Sequence, residues 1–153
     1  LKDATLKFCE KYAKHFQNEF HNPAKGMYQV YVSDPWLTII DGALIGLLQK
    51  VEYVNGEDGN LLRDDKGEYV TRPLYDDFQI HQIKEKFGQL RFYYSTTDAN
   101  TSAMLKGVIA ACKGLCSVTC LECGKHTRDG IQESDEGYWS NRCNPCRELA
   151  KRK

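Results

Sequence analysis

Net charge is the first thing this sequence lacks: 21 lysines and arginines stand against 21 aspartates and glutamates. Domains that hold nucleic acid by bulk electrostatics are strongly basic, so that class is excluded and only a local basic patch remains open. There is no run of eighteen or more apolar residues, which excludes a membrane-spanning helix. The first twenty residues are charged and amphipathic, without the basic-then-apolar order of a secretory leader, so a soluble, non-secreted protein with no membrane partner is expected. Several catalytic signatures are also missing: a Gly-rich phosphate loop, His-Glu-x-x-His and Gly-x-Ser-x-Gly. The seven cysteines are an odd number. Four of them have metal-ligand spacing, so a disulfide framework is the weaker reading and a reducing cytoplasm the expected compartment.

What is present centres on Cys120-Leu-Glu-Cys123-Gly124 and, after an interval, Cys143-Asn-Pro-Cys146. Each Cys-x-x-Cys pair can point two sulfurs at one ion from a tight turn, so Cys120, Cys123, Cys143 and Cys146 are predicted to hold one structural zinc per chain. Gly124 permits the positive φ of a knuckle turn, and Pro145 suits the first turn of a short helix carrying Cys146. Tyr138-Trp139-Ser140 reads as one arm of a small hairpin. Knuckle, hairpin and ligand-bearing helix make a treble-clef-like order.

The 153 residues, 41% of them hydrophobic, suffice for one core and a small appended module. The expected fold is α+β: helices on a small antiparallel β-sheet over residues 1–117, with a four-cysteine zinc module at 118–153 packed on it. Apolar residues from Leu6 to Phe20 recur at helical spacing, predicting a helix over Asp3–Phe20 with Cys9 buried and inert and with His15 and His21 on its solvated surface. Met27–Val32 reads as a short strand. Asp34-Pro35 can start a helix from Trp36 to about Tyr53, the most buried of all, with Gly42 and Gly46 marking close packing against a neighbour. Asn55–Asn60 is turn chemistry without the terminal Glu of an EF-hand loop, and Leu61–Thr71 reads as a hairpin turning at Asp64–Gly67. Residues 52–77 carry eight carboxylates against three basic side chains, giving one acidic face. Phe78–Ser95 reads as a second hairpin turning at Lys86–Gln89, with Arg91 and Tyr93 opposite Leu90 and Phe92. Thr97-Asp98 can cap a helix from Ala99 to about Leu115, on which Cys112 and Cys116 stand as alternative metal ligands.

The run Ile83-Lys84-Glu85-Lys86-Phe87-Gly88-Gln89-Leu90-Arg91-Phe92-Tyr93-Tyr94, followed by Cys-x-x-Cys-Gly, a Trp and Cys-x-x-Cys, resembles small uncharacterised proteins of bacteriophages and prophages. The resemblance spans roughly Gln79 to Leu149. It implies a phage-encoded protein in a bacterial host cytoplasm, with no activity to transfer.

Three binding functions follow as expectations. The first is a non-catalytic protein that binds and modulates a host protein, including a defence system. The second is nucleic-acid binding, for which Lys84, Lys86, Arg91, Lys125, Arg128, Arg142 and Arg147 are the candidate contacts, the cations near the cysteines competing with a simpler role in offsetting thiolate charge. The third is sequestration of a nucleotide signal, with Lys84, Lys86 and Arg91 on its phosphates. Catalysis is disfavoured: an all-thiolate site has no open position for water. Cys143-Asn-Pro-Cys146-Arg147 resembles the second cysteine pair of HNH endonucleases, but His126 has no Asp-His partner, and Asp76, Asp77 and His81 are a weak candidate ion site.

Overall fold

The apolar side chains after Pro35 leave little of a helix polar, and in the computed structural model they form α2 (Asp34–Leu48), whose Trp36, Ile40 and Leu44 are almost fully buried. The structure describes residues 3–19, 21–22, 25–127, 132–133 and 139–152, with the backbone alone at 132, 133 and 139. Pro35 occupies the first turn of α2 as expected, the N-cap is Ser33, and neither its side chain nor that of Asp34 caps the helix. The helix also stops short of Tyr53. Gln49 closes it with its amide on the Ile45 and Leu47 carbonyls. The next residues extend as β2 (Val51–Tyr53), paired antiparallel with β3 (Thr71–Pro73), where a β-branched valine fits better than in a helix. Gly42 and Gly46 face open space, since a Cβ at either would meet nothing within 4 Å. Close packing at these glycines is therefore not realised.

Around α2 stand α1 (Asp3–Lys11), α3 (Ala99–Ser117) and a three-stranded sheet in the order β1 (Val30–Tyr31), β4 (Gln79–Lys86), β5 (Gln89–Ser95). The sheet is mixed: β1 runs parallel to β4, and β4 and β5 form the expected antiparallel hairpin. Of the strand read over Met27–Val32 only Val30–Tyr31 joins the sheet, while Met27 makes an isolated bridge to Asn22. The inner face presents Val30, Ile80, Ile83, Leu90 and Phe92 to the helices, all buried. Register shifts between Ile80 and Gln82, a bulge that puts Ile80 and Gln82 on opposite faces although they are two residues apart. Ile80 faces inward opposite Tyr94, while Gln82, Lys84 and Lys86 face outward.

The N-terminal helix is shorter than its periodicity predicts. After Lys11 the chain tightens into a 3-10 turn over Ala13–Phe16. The cause is tertiary: the His15 ring stacks on Phe78 at 4.0 Å, its Nδ1 lies 3.0 Å from the Phe78 carbonyl, and the Asn18 amide donates to the Ile80 carbonyl at 2.9 Å. His15 and His21 are therefore buried rather than solvated, and burial lowers the pKa of both. Cys9 is buried as expected, its thiol pushed up to about 11, chiefly by burial. At α3, Asp98 is the N-cap and accepts from the Thr101 amide at 2.8 Å.

Between β2 and β3 the chain makes an arm with an eight-residue repeat. Val54, Leu62 and Val70 join in a closed ring: the Leu62 amide donates to Val54, Val54 to Val70 and Val70 to Leu62, at 2.8, 3.0 and 2.9 Å. The turns between them match, with Gly59 and Gly67 both at positive φ (78° and 80°) and their amides on the Gly56 and Asp64 carbonyls. The expected turn at Asp64–Gly67 is one of the two. Tyr53, Leu61, Leu62 and Tyr69 on this arm are exposed.

Phe87 and Gly88 both have positive φ (54° and 78°) in the two-residue turn of the β4–β5 hairpin. Such a turn favours Asn-Gly, and a bulky residue there is strained. Phe87→Asn is therefore expected to raise stability in urea by about 1 kcal/mol, since Phe87 is 64% exposed and contributes little packing. A loss of similar size would mean that the ring supports the fold.

Candidate metal centre

The first pair of cysteines is set by a knuckle. The Cys120 amide donates to the Lys125 carbonyl at 2.8 Å, and the Gly124 amide to the Cys120 carbonyl at 3.0 Å, folding residues 120–125 back on themselves. Gly124 has φ of 77°, as its position after Cys123 requires. A Cβ there would stand 3.3 Å from Pro35, so the glycine also admits the first turn of α2. The second pair is set by a helix: Cys143 is the N-cap of α4 (Asn144–Lys151), Pro145 lies in its first turn, and Cys146 follows one turn in. Between them β6 (Gln132–Glu133) pairs antiparallel with β7 (Trp139–Ser140). This is the knuckle, hairpin and helix order that the spacing predicts. Tyr138 lies outside the described residues, as do Arg128, Asp129, Asp135, Glu136 and Lys153.

The four Sγ atoms of Cys120, Cys123, Cys143 and Cys146 lie within 4.8 Å of one another. A tetrahedral ion with metal–sulfur bonds of about 2.3 Å sets its sulfurs roughly 3.8 Å apart, and Cys123 Sγ stands 3.6 Å from Cys143 Sγ. The donor set thus fits a thiophilic tetrahedral ion. Burial opposes ionisation of Cys120, but backbone amides of Cys123, Cys143 and Glu122 aimed at its sulfur outweigh it and bring the thiol down to about 6; the Cys143 amide is 3.3 Å away. Cys146 is pushed the other way, up to about 12, first by its hydrogen bond with Cys143 and then by burial and the neighbouring sulfurs. Without a cation the four sulfurs cannot share one small volume as thiolates, and a divalent ion removes that conflict.

Cys112 and Cys116 do not join the cluster. Both are buried on α3, and burial raises their thiols, Cys116 to about 12. Cys116 is tied to the centre another way, through its carbonyl, which accepts from the Asn141 amide nitrogen at 2.6 Å. Asn141 is fully buried, and its Oδ1 accepts from the Thr127 hydroxyl at 2.9 Å. With the Leu121 amide on its own carbonyl (2.8 Å), Asn141 fastens the cysteine-bearing turns to α3, and the Trp36 indole on the Thr119 carbonyl (3.0 Å) ties the adjoining segment to α2. Nothing in the cysteine spacing signals Asn141; it becomes visible only once the fold closes.

The cations predicted around the centre divide in role. Arg142 pairs with Glu122 at 2.9 Å. Arg147 is a clamp, donating to the Arg142 carbonyl at 2.8 Å and the Ser140 carbonyl at 3.0 Å. Lys125 is exposed beside the knuckle. Lys84, Lys86 and Arg91 lie elsewhere, on the outer face of the sheet. Asp76, Asp77 and His81 do not converge: Asp76 pairs with Lys14, Asp77 accepts from Thr97, and His81 Nε2 lies 2.7 Å from the Ser95 hydroxyl. Among the described residues the four cysteines form the one cluster able to hold a metal, and no helix is long and apolar enough to cross a membrane. No family model, curated protein or solved structure matches the chain.

Proposed function

We propose that the chain is a non-catalytic binding protein in which one zinc ion, held by Cys120, Cys123, Cys143 and Cys146, fixes the C-terminal turns against the helical core. The observation that carries this reading is the all-cysteine donor set gathered within 4.8 Å. Four thiolates fill the coordination of such an ion, so it supplies folding energy and no position for an activated water. The role of the protein is then recognition.

The partner in this reading is a protein, met through the arm between β2 and β3, and, following the phage-like motifs, a host protein whose modulation includes interference with a defence system. Supporting it, the arm exposes Tyr53, Leu61, Leu62 and Tyr69 in a stretch where carboxylates outnumber basic residues eight to three over 52–77. Aromatic and aliphatic side chains left in water within a charged rim are the anatomy of an interface. The arm can be removed cleanly, because Tyr53 and Thr71 are directly paired. Replacing residues 54–70 by Asn-Gly is expected to leave metal content and thermal melting unchanged and to abolish capture of the host partner by the immobilised protein. Undiminished capture by the shortened chain would move the interface off the arm.

A further inference from the structure

We propose that the outer face of the β1–β4–β5 sheet binds single-stranded nucleic acid. Cross-strand pairing sets Tyr31, Lys84 and Arg91 in one row across three strands, and Tyr93 in the next row opposite Gln82. Lys86 extends the row of cations toward the hairpin tip, where Phe87 stands in solvent with the Lys86 ammonium 5.6 Å from its ring. No carboxylate points from this face; its remaining strand positions are glutamine, serine and the bulged His81, whose Nε2 lies 2.7 Å from the Ser95 hydroxyl, and Glu85 faces the other way with its carboxylate on the Gly88 amide at 2.6 Å.

Three features set this face apart from ordinary strand surface. Lys84 and Arg91 are direct cross-strand neighbours, and like charges so placed work against sheet formation. Among the described residues neither they nor Lys86 has an ion-pair partner, whereas Arg72, the cation on β3, pairs with Glu52 on the neighbouring strand. Beside the cations two tyrosines lie open, Tyr31 at 57% and Tyr93 at 49% exposure, with the Lys84 ammonium 6.0 Å from the Tyr93 ring. A polyanion relieves the charge conflict, and flat rings beside it offer the stacking surface that unpaired bases require and a duplex does not. Zero net charge over the whole chain is compatible with this, since the acidic arm carries the balancing charge.

The test is fluorescence anisotropy of a labelled twelve-residue oligo(dT) with the metal-loaded full chain. Saturable binding at 50 mM salt is expected, and contacts to three phosphates predict roughly a twenty-fold loss of affinity between 50 and 200 mM. Lys84→Glu with Arg91→Glu is expected to abolish binding. Tyr93→Ala is expected to weaken it about tenfold and Tyr93→Phe to preserve it, because stacking needs the ring and not the hydroxyl. Metal content and melting of each variant report folding separately. Replacement of the arm leaves this binding intact, so failure here and failure of the protein-partner reading are distinguishable. Absence of saturation at 50 mM, unchanged affinity in the charge-reversed variant, or equal loss in Tyr93→Ala and Tyr93→Phe would overturn the proposal. So would polyglutamate competing as well as oligo(dT), which would assign the face to an acidic protein, or a mononucleotide competing equally per phosphate, which would make it a nucleotide site.

Discussion

Cys143→Ser is expected to strip the protein of stoichiometric metal and to unfold its C-terminal turns while leaving the helical core intact. Cys143 serves the centre three ways: its sulfur stands 3.6 Å from that of Cys123, its amide donates to the Cys120 sulfur, and it is the N-cap of the helix that carries Cys146. Serine keeps the amide and can cap a helix, so the change isolates the sulfur. A neutral hydroxyl is a poor ligand beside three thiolates, and structural zinc supplies on the order of 10 kcal/mol or more to small modules. That is more than α4 can replace, because none of its residues is buried. Metal analysis after dialysis should fall from one equivalent to far below it, and proteolysis should begin within the C-terminal segment. Full metal retention would mean that Cys112 or Cys116 moves in as a ligand, which their burial on α3 opposes.

Leu44→Asp is expected to abolish soluble folding. Leu44 is 1% exposed on α2, within the cluster that includes Trp36, Leu37, Ile40 and Leu47. An unpaired carboxylate at that site must be desolvated or protonated, and either costs several kcal/mol in addition to the lost packing. Total stability of a domain of this size is about 5–15 kcal/mol, so the change removes most or all of it. Inclusion bodies, or a soluble product without a cooperative melting transition, are the expected outcome by expression and calorimetry. A cooperatively melting Leu44→Asp protein would place this part of α2 at the surface and invalidate the core described above.

The cysteine cluster was legible because its chemistry is local: two pairs of sulfurs at short spacing need only a turn and a helix start, both written in Gly124 and Pro145. The α2 core was legible from density of apolar residues alone, and the β4–β5 hairpin from alternation. What the sequence concealed depended on distant partners. His15 looks like a solvated helix residue until Phe78 arrives to stack on it. Tyr31 looks like an ordinary strand residue until β1 docks parallel to β4 and brings it beside Lys84. The glycines of α2 look like a packing stripe, yet they face open space. The repeat through Val54, Leu62 and Val70 is present in the sequence, with Gly59 and Gly67 at its fixed offset, but helical and strand periods do not detect a period of eight.

X-ray absorption at the metal edge of the purified protein reads directly whether four cysteines hold one closed metal centre. The expected result is one zinc per chain surrounded by four sulfur atoms at about 2.3 Å, with no nitrogen or oxygen bound to the metal. A nitrogen or oxygen ligand near 2.0 Å, or substoichiometric metal in a fully folded chain, would contradict it.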